Sequence, residues 1–432
     1  MPSSPSATSP VDAAPASAPP STAPQGIALA PLAFSAAVFL VVHGVSLVVW
    51  RLFADPAQAV WNHNPQPFGM YLFWGILVLV FIGFNFGMAG FEAIRQPWRG
   101  LLATGLTLAL GFAIPAALVH GYGRLDPTFS AAAGAGFGAA GLIVLIGFYG
   151  FGVLATGMGG WPWTDHGLAP AHSGLAQLAC GGCLTALGYL LLVYPGVSVA
   201  PQPHAVLLPL AVTIGWFYSV IVAWLATFLI FDNWPWSLLR RRSHVALAAL
   251  TGNIVLGTAI YVTHLALLES LLIPADAVTK LGDNLALWPA QLGVWIVFWL
   301  IFWSNVAGNW PQRFGTAINR LLRAACCWGL GLLSFVVYTR WFAHAVLHEA
   351  DIVPGFGGDP LTWVDLLNFV MLIYAVYFQF YGLARRSGAA TRAVGVSTRR
   401  GQRSHAMPLR KAVAQGSSPS ATPVSKGPPE LS

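Results

Sequence analysis

Charge is what this sequence has least of. Charged residues occupy 8% of its 432 positions, against about 25% in an ordinary soluble domain. That scarcity excludes a surface built mainly to face water. Lysine is very rare, and the four cysteines all lie inside apolar runs, so no disulfide framework is expected. The start of the chain lacks a basic n-region, and the apolar run that follows is too long for the h-region of a secretory signal. Also missing are a Gly-x-x-x-x-Gly-Lys phosphate cradle, a Gly-x-Ser-x-Gly elbow and a Cys-x-x-Cys-His haem attachment. Energy from nucleotide hydrolysis would need a separate subunit. No motif ties the chain to a particular family.

What is present is apolar. Hydrophobic residues make up 56% of the chain and the mean hydropathy is +0.67. The formal charge of +7 sits mainly in loops and a tail beside the apolar runs, which argues against nucleic-acid binding.

The chain is punctuated by one recurring break, fullest at Asp232-Asn233-Trp234-Pro235-Trp236. Related breaks run Arg95-Gln96-Pro97-Trp98-Arg99, Gly160-Trp161-Pro162-Trp163 and Asn309-Trp310-Pro311-Gln312, with the four prolines 65 to 76 residues apart. Proline removes a backbone donor and turns the preceding residue out of the helical region. Tryptophan favours the boundary between water and lipid. Each break is flanked by long apolar runs, so each predicts a turn between membrane helices.

The predicted organisation is an all-α integral membrane protein. It has a disordered Pro/Ala/Ser-rich leader at 1–26, a polytopic domain at 27–386 and a disordered basic tail at 387–432. Ten spans are expected near 27–52, 68–92, 100–120, 134–157, 173–195, 205–231, 245–273, 288–308, 319–346 and 363–384. The Trp-Pro side carries Arg95, Arg99, Arg240, Arg241, Arg242, Arg313, Arg320 and Arg323, whereas the opposite side carries Arg51, Arg124, Lys280 and Arg340. The positive-inside rule then places the Trp-Pro turns and both termini in the cytoplasm of a plasma (inner) membrane. Arg51 opposes this locally, because the leader has no basic residue, but the later loops outweigh it. The Ala- and Pro-rich leader and the low lysine content suit a high-GC bacterium. Tail residues Arg399, Arg400, Arg403, Arg410 and Lys411 are expected near anionic lipid headgroups.

Similarity extends into the spans. Gly83-Phe84-Asn85-Phe86-Gly87, Gly147-Phe148-Tyr149-Gly150-Phe151 and Tyr377-Phe378-Gln379-Phe380-Tyr381-Gly382 resemble one another where helices enter the breaks. Helices leaving them share Leu110-Gly111, Leu187-Gly188, Leu256-Gly257 and Leu330-Gly331. Glycine there allows close helix approach. These features suggest parallel repeats of a two-helix unit, although any set of bilayer helices draws on the same few residue types.

Histidines concentrate on the side opposite the Trp-Pro turns: His43, His120, His264, His344 and His348 in odd-numbered spans, and His63 and His204 in loops. His344 and His348 share one helical face at four-residue spacing. With His43, His120 or His264 they could ligate copper, haem iron or another transition metal. The plainer reading is that each sits hydrated near a span end or bonds a backbone carbonyl. Arg340, one turn inside the ninth span, would grip an anion, pair with Glu269 or Asp365, or snorkel outward. Asn85, Asn253, Asn305, Asn368, Gln291 and Gln379 would bond between helices or line a path. Cys180-Gly181-Gly182-Cys183 and Cys326-Cys327 read as small packing residues, with copper or zinc ligation as the alternative. Pro115 marks a kink.

Three functions fit this sequence. A permease for a small anionic or zwitterionic solute would use His43, His264, Arg340 and Asn368 along its path, with histidines as proton acceptors. A membrane haem or metal protein would use the histidine set. A non-catalytic subunit or scaffold would need none of these residues.

Overall fold

The structure is a computed structural model that describes residues 26–133, 136–199 and 206–385. Nearly all of the expected leader, the expected tail and His204 lie outside the described residues; Gly26, the last leader position, opens a short strand. Ten helices are long and apolar enough to cross a membrane. They are α1 (Pro31–Phe53), α2 (Phe68–Asn85), α3 (Trp98–Arg124), α4 (Gly136–Ala155), α5 (Pro170–Leu192), α6 (Leu210–Leu229), α7 (Arg242–Leu272), α8 (Ala275–Asn305), α9 (Thr316–Ala345) and α10 (Pro360–Tyr377). The chain is therefore a mostly helical, multi-pass membrane protein in contact with the lipid bilayer.

The helices form two layers. In the best spanning window of each even-numbered helix 67% to 83% of residues are buried, against 22% to 28% in the odd-numbered ones. Around the inner layer α2 packs on α4, α4 on α6, α6 on α8, α8 on α10 and α10 back on α2, closing a five-membered ring. Each outer helix lies against one inner helix: α3 on α2, α5 on α4, α7 on α6, α9 on α8 and α1 on α10.

Sequence explains which face each outer helix buries. The inward stripe of α3 is Gly100, Ala103, Thr107, Gly111 and Pro115; that of α7 is Ala246, Ala249, Asn253, Gly257, Tyr261 and His264. In α9 the stripe is Asn319, Arg323, Cys327, Gly331 and Phe335. Small and polar residues recur every three or four positions, while large aliphatics such as Leu102, Val255 and Leu333 face outward. In lipid there is no hydrophobic gain from pairing two Leu-rich faces, so close approach and interhelical hydrogen bonds decide the buried side. The Leu-Gly glycines stand at the closest approaches. A Cβ on Gly111 would sit 3.0 Å from Gly75 Cα, one on Gly257 2.5 Å from Val220 Cα and one on Gly331 3.2 Å from Ile296 Cα.

Every inner helix ends in the same way. The backbone N–H groups of Met88, Gly160, Asn233, Asn309 and Phe380 donate six residues back, to the carbonyls of Ile82, Leu154, Thr227, Trp303 and Tyr374 at 2.7–3.0 Å. Two residues earlier, the N–H groups of Phe86, Met158, Phe231, Ala307 and Phe378 donate five residues back. A consecutive pair at positive φ closes each cap: Gly87-Met88, Gly159-Gly160, Asp232-Asn233, Gly308-Asn309 and Gln379-Phe380. Glycine and asparagine supply most of these positions because they tolerate left-handed backbone. Past the first four caps come the four prolines, each preceded by a cis peptide bond.

The sequence reading carried the second span to residue 92 and the last to 384, but the caps stop those helices at Asn85 and Tyr377. Two strand pairs were not anticipated. β1 (Gly26–Leu29) pairs in parallel with a late strand at Gly382–Arg385, and β2 (Asp351–Val353) pairs antiparallel with β3 (Phe356–Gly357). The late strand, β4, holds the chain entering α1 beside the chain leaving α10, on the face that carries the Trp-Pro turns.

Candidate functional site

The axis of the inner ring holds a cavity that, with its opening, contains about 430 Å³ of space. All five inner helices line it. Val80, Gly152, Leu225, Ile301 and Leu372 each stand two residues before the carbonyl that accepts the cap bond, so one equivalent position per helix faces the axis. Phe84, Thr156, Leu229 and Asn305, two residues after that carbonyl on four of the helices, line the next level. The wall also includes Phe148, Trp224 and Phe228 and contains no charged side chain. The cavity thus lies within about two turns of the Trp-Pro face.

Two polar groups interrupt this wall. Thr156 Oγ1 donates to Gly152 O at 2.7 Å and accepts Trp224 Nε1–H at 2.9 Å, so it is satisfied. Asn305 is 1% exposed; its Nδ2 donates to Ile301 O at 2.9 Å, while its Oδ1 is buried with no partner in the protein.

Away from the Trp-Pro face the axis becomes polar. Asn368 on α10 stands six residues before its cap acceptor, the register at which Phe148 lines the cavity on α4. Its Nδ2 lies 3.5 Å from Asp365 Oδ1, to which the Tyr218 hydroxyl of α6 donates at 3.3 Å. Asp365 is the one charged side chain in α2, α4, α6, α10 and the continuous helix Trp288–Asn305 of α8. Intramembrane carboxylates are costly and mark ion or proton paths.

A second carboxylate group caps this end. Asp359 is the N-cap of α10, accepting from Leu361 N–H at 3.2 Å and from the Thr362 hydroxyl at 2.8 Å. Gln291 of α8 donates to it at 3.0 Å and accepts the same Leu361 N–H at 2.8 Å. Such a cap satisfies helix donors and places negative charge at the positive end of the helix dipole. Glu349 is buried beside it, accepting the Asp359 N–H at 2.8 Å and the Tyr338 hydroxyl at 2.6 Å. Burial pushes the Glu349 carboxyl up to about 8, and the Asp359 charge adds to this against the lowering effect of the two donors.

The sequence-predicted residues are dispersed. His43 on α1 bonds its own helix through Nδ1 to Phe39 O at 2.9 Å and stacks on the Phe39 ring. His264 on α7 is buried, accepting Trp328 Nε1–H from α9 at 3.3 Å, and its Nδ1 has no partner. His120 is exposed near the edge of Phe137. His344 is exposed, whereas His348 turns back to Asp55, 3.0 Å from Oδ1. Among the described residues no three His, Cys, Asp or Glu side chains gather as a metal cluster. Arg340 is exposed and lies over the Phe356 ring at 5.3 Å, apart from both Glu269 and Asp365 in its contacts. Of the four proposed path residues only Asn368 stands on an inner helix.

Sequence reasoning passed over Asp365 as a centre in its own right, treating it as a partner for Arg340. The signal was there: one aspartate inside an otherwise uncharged run. Tyr218 and Gln291 carried no such signal, because only the ring closure brings α6 and α8 to α10.

No protein-family model, curated protein or solved structure matches this chain. Its function therefore has to be argued from the ring and its axis.

Proposed function

We propose that the chain is a secondary permease whose solute follows the axis of the inner five-helix ring. The observation that carries this reading is the axial cavity lined by one equivalent position from each inner helix. Asn368, Asp365 and Tyr218 continue from it toward the opposite face. In this reading Asp365 is the proton-carrying group, held by Tyr218 and Asn368, and the solute is uncharged. An anionic or zwitterionic solute would find no cation in the cavity wall, and Arg340 lies on the outer layer.

The positive-inside rule orients the Trp-Pro face, with its many arginines, toward the cytoplasm of a bacterial plasma membrane. The five shared caps and the recurring glycine approaches support an origin by repetition of one inner–outer helix pair. In that scheme α10 and α1 form the fifth pair, closed by the pairing of β1 with β4.

The test uses proteoliposomes loaded with a pH-sensitive dye and challenged with a panel of small solutes. A solute-dependent pH change that Asp365→Asn abolishes, with the variant still folded, supports the reading. A pH response of the same size in Asp365→Asn sinks Asp365 as the coupling group. No solute-dependent flux across the panel sinks the permease.

A further inference from the structure

We propose that the axial cavity is a binding site for a small, uncharged, mainly apolar molecule that carries one hydrogen-bond donor, received by Asn305 Oδ1. This names the solute class for the path proposed above, and rests on that reading for the claim that the bound molecule is cargo.

The walls decide the ligand's polarity. Val80, Leu225, Ile301 and Leu372 form an aliphatic collar and Trp224 closes one side over Gly152, leaving no cation or carboxylate in contact with the space. A charged molecule would be desolvated there without a counter-ion, which is strongly unfavourable. A molecule with no polar group would leave Asn305 Oδ1 as it now stands, buried and unpartnered. Buried amide oxygens nearly always have a partner. The other amide atom of Asn305 is already held by Ile301 O, which fixes the carboxamide on its own helix. Thr156, by contrast, spends its hydroxyl proton on Gly152 O. The unmet need in the wall is therefore for a donor, and one is enough.

The cavity's placement makes it a stopping point. It lies between the polar Asp365 group and the Trp-Pro face, surrounded by helices whose shared caps hold one level of side chains around the axis. A mostly apolar site with a few placed polar groups is the usual form of a small-molecule pocket.

Photolabelling of the detergent-purified full chain tests this, with 4-azidophenol as the donor-bearing probe and azidobenzene as its donor-free counterpart. The expected azidophenol adducts map to peptides around Phe84, Trp224 and Phe228. Leu372→Trp fills the cavity and should reduce them at least tenfold. Asn305→Leu should reduce azidophenol labelling about tenfold, the effect of one buried hydrogen bond, and leave azidobenzene labelling unchanged. In the unsubstituted protein, excess phenol should suppress the azidophenol adducts about tenfold more than equal benzene does. This comparison holds even where a variant fails to fold. Adducts confined to the lipid-facing helices, or insensitive to phenol, overturn the site. Equal competition by benzene and phenol overturns the role of Asn305. Specific labelling without any phenol-driven pH change in proteoliposomes sinks the permease reading and leaves the site standing. Flux of another solute class that Leu372→Trp does not affect does the reverse.

Discussion

His348 Nδ1 lies 3.0 Å from Asp55 Oδ1, joining the segment after α9 to the end of α1 across 293 residues of chain. Facing a carboxylate, Nδ1 carries the proton and donates it. Asp55 is wholly buried, pairs with Arg51 one turn earlier, and accepts the N–H groups of Ala57 at 2.8 Å and Gln58 at 2.9 Å. Arg51 also donates to Val346 O at 2.8 Å, and Trp50 Nε1–H to Leu347 O at 3.2 Å. The first outer helix is thus latched to the turn that leads toward α10.

Asp55→Ala should loosen that latch. Removing one partner leaves Arg51 and His348 facing a buried gap, and breaking a buried pair typically costs about 3 kcal/mol or more. Thermal unfolding in detergent should show the loss, and His348→Ala should lose less, because its ring is partly exposed. Burial alone would raise the Asp55 carboxyl, but His348, the two backbone donors and Arg51 overcome it and hold it below 3.8. This contribution is present above 3.8 and fades as pH falls through the lowered value. A variant as stable as the parent at neutral pH would sink the latch.

Glu349 acts in the opposite sense and in another window. The folded protein keeps its proton up to about 8, whereas the unfolded chain releases it near 4.5. Between those values the folded state binds more protons, so the Glu349 contribution to stability is complete below 4.5 and is lost as pH rises to about 8. Unfolding temperatures of the parent should decline across that window more steeply than those of Glu349→Gln. Identical slopes would remove Glu349 as the cause.

Gly257→Ala should cost about 1–3 kcal/mol, the usual range for overpacking, because the new Cβ would meet Val220 Cα at 2.5 Å. Gly44→Ala on α1 provides the control: nothing lies within 4 Å of its added Cβ. Its change should stay within about 0.5 kcal/mol. Equal losses for the two would mean that glycine matters here for its backbone freedom rather than for space.

These glycines also mark how far the sequence could be read. Apolar run length gave ten spans, and Leu-Gly spacing pointed to the approaches of α3, α7 and α9 on α2, α6 and α8. Which helices are inner was hidden. The spanning window of α1 has a mean hydropathy of 2.4 at 22% burial, and that of α8 has 1.9 at 83%. Lipid and protein interior are equally apolar, so hydropathy does not separate them. The histidines drew attention because they are rare and polar, yet His43 satisfies itself on Phe39 within one turn. Asn305 and Asp365, which face the axis, read on sequence as ordinary interhelical polar groups until the ring gave the axis a location.

The metal alternative has its own measurement. His43, His120, His264 and His344 each have separate surroundings, and His348 is committed to Asp55 through Nδ1. The expected outcome is an absorption spectrum without a Soret band and an unfolding temperature that a chelator leaves unchanged. A stoichiometric copper, iron or zinc signal that His344→Ala or His348→Ala removes would restore the histidine site and displace the permease.

Tyr218→Phe separates a path residue from a packing residue on α6. The ring stays and one hydroxyl goes, so Asp365 keeps only the longer contact with Asn368 at 3.5 Å. One hydrogen bond to a carboxylate is worth about 1.5–3 kcal/mol. Its loss disfavours the ionised form of Asp365, and in the permease reading the carboxylate then gives up its proton less readily. Solute-driven proton flux in proteoliposomes should fall by about tenfold or more, with its pH profile displaced toward higher pH. A merely structural hydroxyl would lower the unfolding temperature and leave that profile where it was. A displaced profile in Tyr218→Phe, together with abolished flux in Asp365→Asn, would make the pair on α6 and α10 the point where the proton meets the solute path.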